Sequence, residues 1–143
     1  MVYRVAAGVI LDSAGNLYGT TEAGGALSQW GVVYKLNPAG QETVLHSFCS
    51  LANCTDGAQP VAGVIFDSAG NLYGTTVSGG AGEYGVVYEL DAAGQLTVLY
   101  SFTNGADGGE PEAGVIRGSA GDLYGTAQSG GKKGGGVVFR VTP

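Results

Sequence analysis

The block Ala-Gly-Val-Ile occurs three times, at residues 7–10, 62–65 and 113–116, a period of about 50 residues. Two later blocks recur in step. Asn-Leu-Tyr-Gly-Thr stands at 16–20 and 71–75, with Asp-Leu-Tyr-Gly-Thr at 122–126. Gly-Val-Val-Tyr stands at 31–34 and 85–88, with Gly-Val-Val-Phe at 136–139. A chain that repeats at this period folds as stacked copies of one unit, because a single copy is too small to bury its own apolar residues.

The unit is read best from the second copy. Runs rich in Val, Ile, Tyr and Thr at 64–67, 72–76, 86–90 and 97–102 are separated by Gly, Asn, Asp and Pro, which predicts four strands, A to D. The A–B turn reads Asp67-Ser68-Ala69-Gly70-Asn71, where glycine adopts positive φ and the aspartate caps nearby amides. Asn37-Pro38-Ala39-Gly40 and Asp91-Ala92-Ala93-Gly94 supply the same chemistry between C and D. Two hairpins per period exclude a helical repeat, and a four-strand meander of this length is a β-propeller blade. The expected fold is all-β, with blades at about 7–49, 62–102 and 113–141, the third with only three strands.

The pattern G-x-L-Y-G-T-T-x-x-G-G, the G-V-V-Y strand and T-V-L-Y-S-F resemble the GloVer-type tandem repeats of choice-of-anchor proteins from Ala7 onward. That resemblance implies an exported or surface-attached bacterial protein and assigns no catalytic residue. The strand order and the D-S-A-G-N turn are also similar to NHL-type and gluconolactonase-like six-bladed propellers, which implies a divalent metal in a central channel held by acidic and amide side chains.

Composition narrows the partners. Twelve acidic against six basic residues give a net charge of −6, which leaves no cationic footprint for nucleic acid. The one basic pair, Lys132-Lys133, sits in a glycine-rich loop. No stretch approaches the roughly 18 apolar residues of a membrane span, and no apolar core of a signal peptide follows Met1-Val2-Tyr3-Arg4.

Propellers close with about four to eight blades, so three blades leave two raw faces. A homodimer joining 3 + 3 blades into a six-bladed ring satisfies both; a fragment of a longer surface array is the rival. Residues 2–5 do not supply the missing strand of the third blade. Only Ala6 separates them from the inner strand, and an outer strand lies roughly 14 Å away. They are expected to prolong the inner strand or to pack across a junction between chains.

Shared residues build the blade, so chemistry is sought where the copies differ. Tyr18, Tyr73 and Tyr124 are shared and read as packing residues with hydroxyls at the rim. The B–C and D–A loops open on one face around the channel mouth, the default ligand site. Glu22, Trp30, Asp56, Gln59, Tyr84 and Gln128 are the expected ligand-binding residues there, with Trp30 and Tyr84 offering faces to a carbohydrate or small molecule. Glu112 precedes an inner strand and would appear twice in a dimer. With Glu22 and Asp56 it forms a candidate oxygen set for a divalent metal such as Ca²⁺, or a carboxyl with raised pKa. Solvated loop acids are the plainer alternative.

His46, the only histidine, occupies the strand D position of Tyr100, and spacing alone assembles no Ser-His-Asp set around it. Cys49 and Cys54 flank a loop found only in the first copy. A local disulfide and a zinc site with His46 are both open. Three functions follow: a self-assembling propeller whose loop face or channel binds a carbohydrate, a small molecule or a protein partner, a metal-assisted hydrolase of esters, lactones or phosphoesters, and a structural fragment of a surface array.

Overall fold

A computed structural model describes Arg4, residues 7–25 and residues 29–143 of the chain. Residues 2, 3 and 5, expected to prolong the inner strand, lie outside the described residues, as do Leu27 and Ser28 of the first B–C insert. The fold is all-β. The first sheet has the order β1 (Ile10–Leu11), β2 (Leu17–Thr21), β3 (Val32–Leu36) and β4 (Glu42–Ser47). The second repeats it as β5 (Ile65–Phe66), β6 (Leu72–Thr76), β7 (Val86–Leu90) and β8 (Leu96–Ser101). The third has β9 (Ile116–Arg117), β10 (Leu123–Ala127) and β11 (Val137–Val141). All ladders are antiparallel, so each sheet is the meander of a propeller blade. No helix among the described residues is long and apolar enough to cross a membrane.

The A strands are shorter than the apolar runs predict. Only Ile65 and Phe66 of the 64–67 run pair, with Tyr73 and Leu72. Upstream, the chain packs on the preceding blade instead. Gly63 packs so closely on the Gly8 carbonyl that a Cβ would stand 2.9 Å from that oxygen, and Gly114 repeats the approach on the Gly63 carbonyl at 3.2 Å. The A–B turns form as the sequence predicts. The Asp12 carboxylate accepts from the amides of Ala14 and Asn16, from Asn16 Nδ2 and from the Tyr18 hydroxyl at 3.0 Å. These bonds, that of the Asn16 side chain foremost, hold the Asp12 carboxyl down at about 2. Asp67 repeats the arrangement with Asn71 and Tyr73. In the third copy Gly118 stands at that position, and Asp122 instead accepts from the Thr142 hydroxyl at 2.7 Å.

The apolar cores lie between blades rather than within them. Val33 and Phe48 of the first blade pack with Val64, Leu72, Val86, Tyr88 and Leu90 of the second. Tyr73, Val87 and Phe102 of the second pack with Val115, Leu123, Ala127 and Val141 of the third. The same polar contact accompanies each junction: Thr20 Oγ1 donates to the Ala62 carbonyl at 2.8 Å, and Thr75 Oγ1 to the Ala113 carbonyl at 3.0 Å. An edge-on aromatic pair seals each one, Phe48 with Tyr88 at 5.1 Å and Phe102 with Phe139 at 5.0 Å. The consequence appears at the two ends. Val33 and Val87 are 0% exposed, but their counterpart Val138 is 81% exposed; Val64 and Val115 are 3% exposed, but Val9 is 48%.

One buried group in this packing is unsatisfied. The Tyr88 hydroxyl sits over Gly74, fully enclosed, with no hydrogen-bond partner, and burial pushes its pKa up. Phe139 fills the equivalent place in the third blade. Tyr88→Phe is therefore expected to leave stability unchanged or to raise it by up to about 1 kcal/mol. Urea unfolding should show an equal or higher midpoint at unchanged m; a loss beyond about 1 kcal/mol contradicts the unsatisfied hydroxyl.

Candidate functional site

The B–C and D–A loops pair with one another along one edge of the blades. Ala58 bridges Ser78, Gly109 bridges Ser129, and Arg4 bridges Ala23. Gln59 and Glu110 are the pivots. The Gln59 amide donates to the Trp30 carbonyl of the preceding blade at 2.8 Å, while its carbonyl accepts from Val77 of the following blade at 3.1 Å. Glu110 does the same with Tyr84 at 2.8 Å and Gln128 at 3.3 Å. Both hold left-handed backbone, φ 59° and 53°, which costs roughly 1–2 kcal/mol outside glycine and is held by this double tether.

Arg4 occupies the same place ahead of the first blade. Its carbonyl accepts from the Glu22 amide at 2.8 Å, and its guanidinium lies 3.3 Å from the Glu22 carboxylate. In the third copy Gln128 Nε2 donates to Glu112 Oε1 at 2.9 Å. Gln59 Oε1 accepts from Ser78 Oγ at 2.9 Å. Trp30 and Tyr84 are 43% and 37% exposed beside these tethers. Five of the six expected ligand-binding residues thus lie on the paired loops, at successive blades of one face.

Asp56 is elsewhere. It is buried at the foot of the first D–A loop, where its carboxylate accepts from the Ser50 amide at 3.0 Å, the Ser50 hydroxyl at 2.8 Å, the Leu51 amide at 3.3 Å and His46 Nε2 at 3.1 Å. Oδ2 takes three of these bonds and Oδ1 one, which commits the carboxylate to the loop that carries it. Within one chain Glu112, Glu22 and Asp56 do not come together: no three acidic, His or Cys side chains converge among the described residues, and Glu22 and Glu112 are engaged by Arg4 and Gln128. A zinc site from the cysteines and His46 is not formed either. Cys49 Sγ is bonded to Cys54 Sγ across the loop, while His46 faces Asp56.

The structure brings together a Ser, a His and an Asp that spacing does not reveal. The carboxylate is in the middle, however. The Ser50 hydroxyl donates to Asp56 and not to the imidazole, so His46 cannot take its proton, and the order differs from a nucleophilic triad. The second copy explains the cluster. Asp107 accepts there from the Tyr100 hydroxyl at 3.2 Å and from the Thr103 amide and hydroxyl at 2.8 and 2.6 Å. His46 and Ser50 are the first copy's version of one loop anchor, and the matching Tyr100 and Asp107 were the available signal.

Blade meanders joined by paired loops define a tandem-repeat protein of the β-propeller class. The chain belongs to the Gloeobacter/Verrucomicrobia repeat family, which it matches over residues 5–143. A comparison with curated proteins finds no match. Among solved structures, an X-ray structure of a protein provisionally described as a gluconolactonase is similar, with 18% identity and a TM-score of 0.47. The similarity covers 94% of this chain and 47% of that one, so the chain spans about half of its length.

The loop anchor makes a pH-dependent prediction. Burial pulls the His46 pKa below its ordinary 6.5, against the opposing pull of Asp56. His46 is then neutral in the folded protein and donates from Nε2. Between the folded and unfolded values the unfolded chain binds more protons, so stability is present above about 6.5 and declines as pH falls through that window. His46→Tyr installs the second copy's anchor and removes this step. Urea midpoints measured from about pH 7.5 down to about 5 should fall more steeply for the wild type than for His46→Tyr; parallel curves contradict the assignment.

Proposed function

We propose that the chain is a self-assembling β-propeller repeat protein, two copies of which join end to end into a six-bladed ring that presents the paired loop face to a carbohydrate or small-molecule ligand. The observation that carries this reading is Val138. The same strand position is buried by the following blade in two copies and left 81% exposed in the third. The opposite end offers what a following blade offers elsewhere. Val9 is exposed where Val64 and Val115 are buried, and the Ala7 carbonyl stands where those of Ala62 and Ala113 accept from threonine.

The two ends are unlike, so the contact is head to tail. Two copies give six blades, inside the range in which propellers close, whereas three give nine. The loop tethers support the same register. Gln59 and Glu110 each reach back to a carbonyl of the preceding blade, and the residue in that place on the third blade is Gly135, opposite Arg4 of a second copy. Joining also carries the row of paired loops around the axis, with the half-exposed Trp30 and Tyr84 of each copy beside amide and carboxylate groups.

Sedimentation equilibrium should give twice the 14.3 kDa chain mass, and Val138→Asp should weaken association by more than about 100-fold, because the junction would bury an unpaired charge. A monomeric wild type contradicts the ring. Trp30 is the only tryptophan, so its fluorescence reports the ligand face directly; a signal unmoved by soluble oligosaccharides contradicts the carbohydrate reading.

A further inference from the structure

A groove between the A–B turns of the first two blades combines aromatic walls with acidic side chains, and among the described residues no lysine or arginine lines it. We infer that this groove binds a small organic cation, an ammonium group carried on an apolar body.

The groove lies at the turn end of the blades, opposite the paired loops, and between two blades whose junction is complete within the chain. Its volume of about 310 Å³ is at the lower end of the range for small-molecule sites. Tyr18 of the first blade and Phe66 and Leu72 of the second form the apolar walls, and Asp12 and Asp67 line it as well. The two rings meet edge-on, 6.0 Å apart at 79°, and Phe66 stays 36% exposed. Both acids keep their charge. The turn bonds, that of the Asn16 side chain foremost, hold the Asp12 carboxyl at about 2. At Asp67 burial pushes the pKa up, but the bonds from Asn71 and Tyr73 bring it below its ordinary value. Fixed negative charge beside aromatic rings is the combination that selects an organic cation over a neutral or anionic ligand.

The chain itself shows what this environment attracts. Lys35 Nζ lies 5.7 Å from the centroid of the Tyr18 ring, reaching it from the adjoining hollow that Leu45 and Leu90 line. At the second junction a cation is built in. Arg117 stands at the Phe66 position, opposite Leu123 as Phe66 is opposite Leu72. Its guanidinium folds over the turn, where a Cβ on Gly121 would stand 3.2 Å from Nη2. Gly121 is the counterpart of Gly70, which lines the groove of the first junction. The second junction therefore carries its own positive charge at this place, whereas the first offers an aromatic wall and takes the charge from a ligand.

The test uses the intact chain, with phenethylammonium as the probe and 2-phenylethanol as its neutral counterpart. A chemical-shift titration followed on the Tyr18 ring should show saturable binding of the ammonium, with the alcohol at least about fivefold weaker. Phe66→Arg copies the second junction and should abolish binding in a chain that remains folded. Asp12→Asn keeps an acceptor for the turn amides, as Asn37 does in the first C–D turn. It should weaken the ammonium by about two- to fivefold and leave the alcohol unchanged. That variant keeps the test decisive should Phe66→Arg unfold. Absence of a saturable shift, equal binding of the alcohol, or undiminished binding by a folded Phe66→Arg variant overturns the proposal.

Discussion

Everything in this chain depends on apolar burial between blades. A four-stranded meander of this size exposes both faces, and neither of the two cores belongs to a single blade: each is built from residues of one copy and of the next. Fully burying one valine or leucine contributes about 1.5–3 kcal/mol, so a junction of seven buried residues outweighs any single loop contact. The Thr–Ala hydrogen bonds and the close approach at Gly63 then fix register, because a Cβ at that glycine would meet the neighbouring backbone.

Much of the fold was legible because the three copies check one another. Strands B, C and D and the Asp-led turns follow from apolar runs punctuated by Gly, Asn and Asp, and they recur at the same offsets. The A strands were over-read because their upstream residues are apolar for a different reason: they line the contact to the preceding blade. Periodicity cannot distinguish residues buried by pairing from residues buried by stacking.

The loop face was legible in outline but not in detail. The B–C and D–A loops do meet, and Trp30, Tyr84, Gln59, Gln128 and Glu22 lie along their pairing. Asp56 was misjudged because an acid in a loop reads as solvated or ligating, whereas this one is buried and bonded by the loop that carries it. The His46, Ser50 and Asp56 contact spans an insert of the first copy, which hides the match to Tyr100, Thr103 and Asp107 from simple spacing. Comparing copies by role rather than by offset recovers it.

The central claim is that the unlike ends are complementary in the register of the internal junctions. Those junctions place a Cβ built on Gly63 3.8 Å from the Ala7 Cβ, and one on Gly114 3.7 Å from the Ala62 Cβ, which is disulfide spacing. The corresponding pair between copies is Gly8 and Ala113. Oxidation of the Gly8→Cys, Ala113→Cys double variant should therefore trap a covalent dimer on non-reducing denaturing electrophoresis and no larger species. A product that stays monomeric, or a ladder of open multimers, would contradict the account.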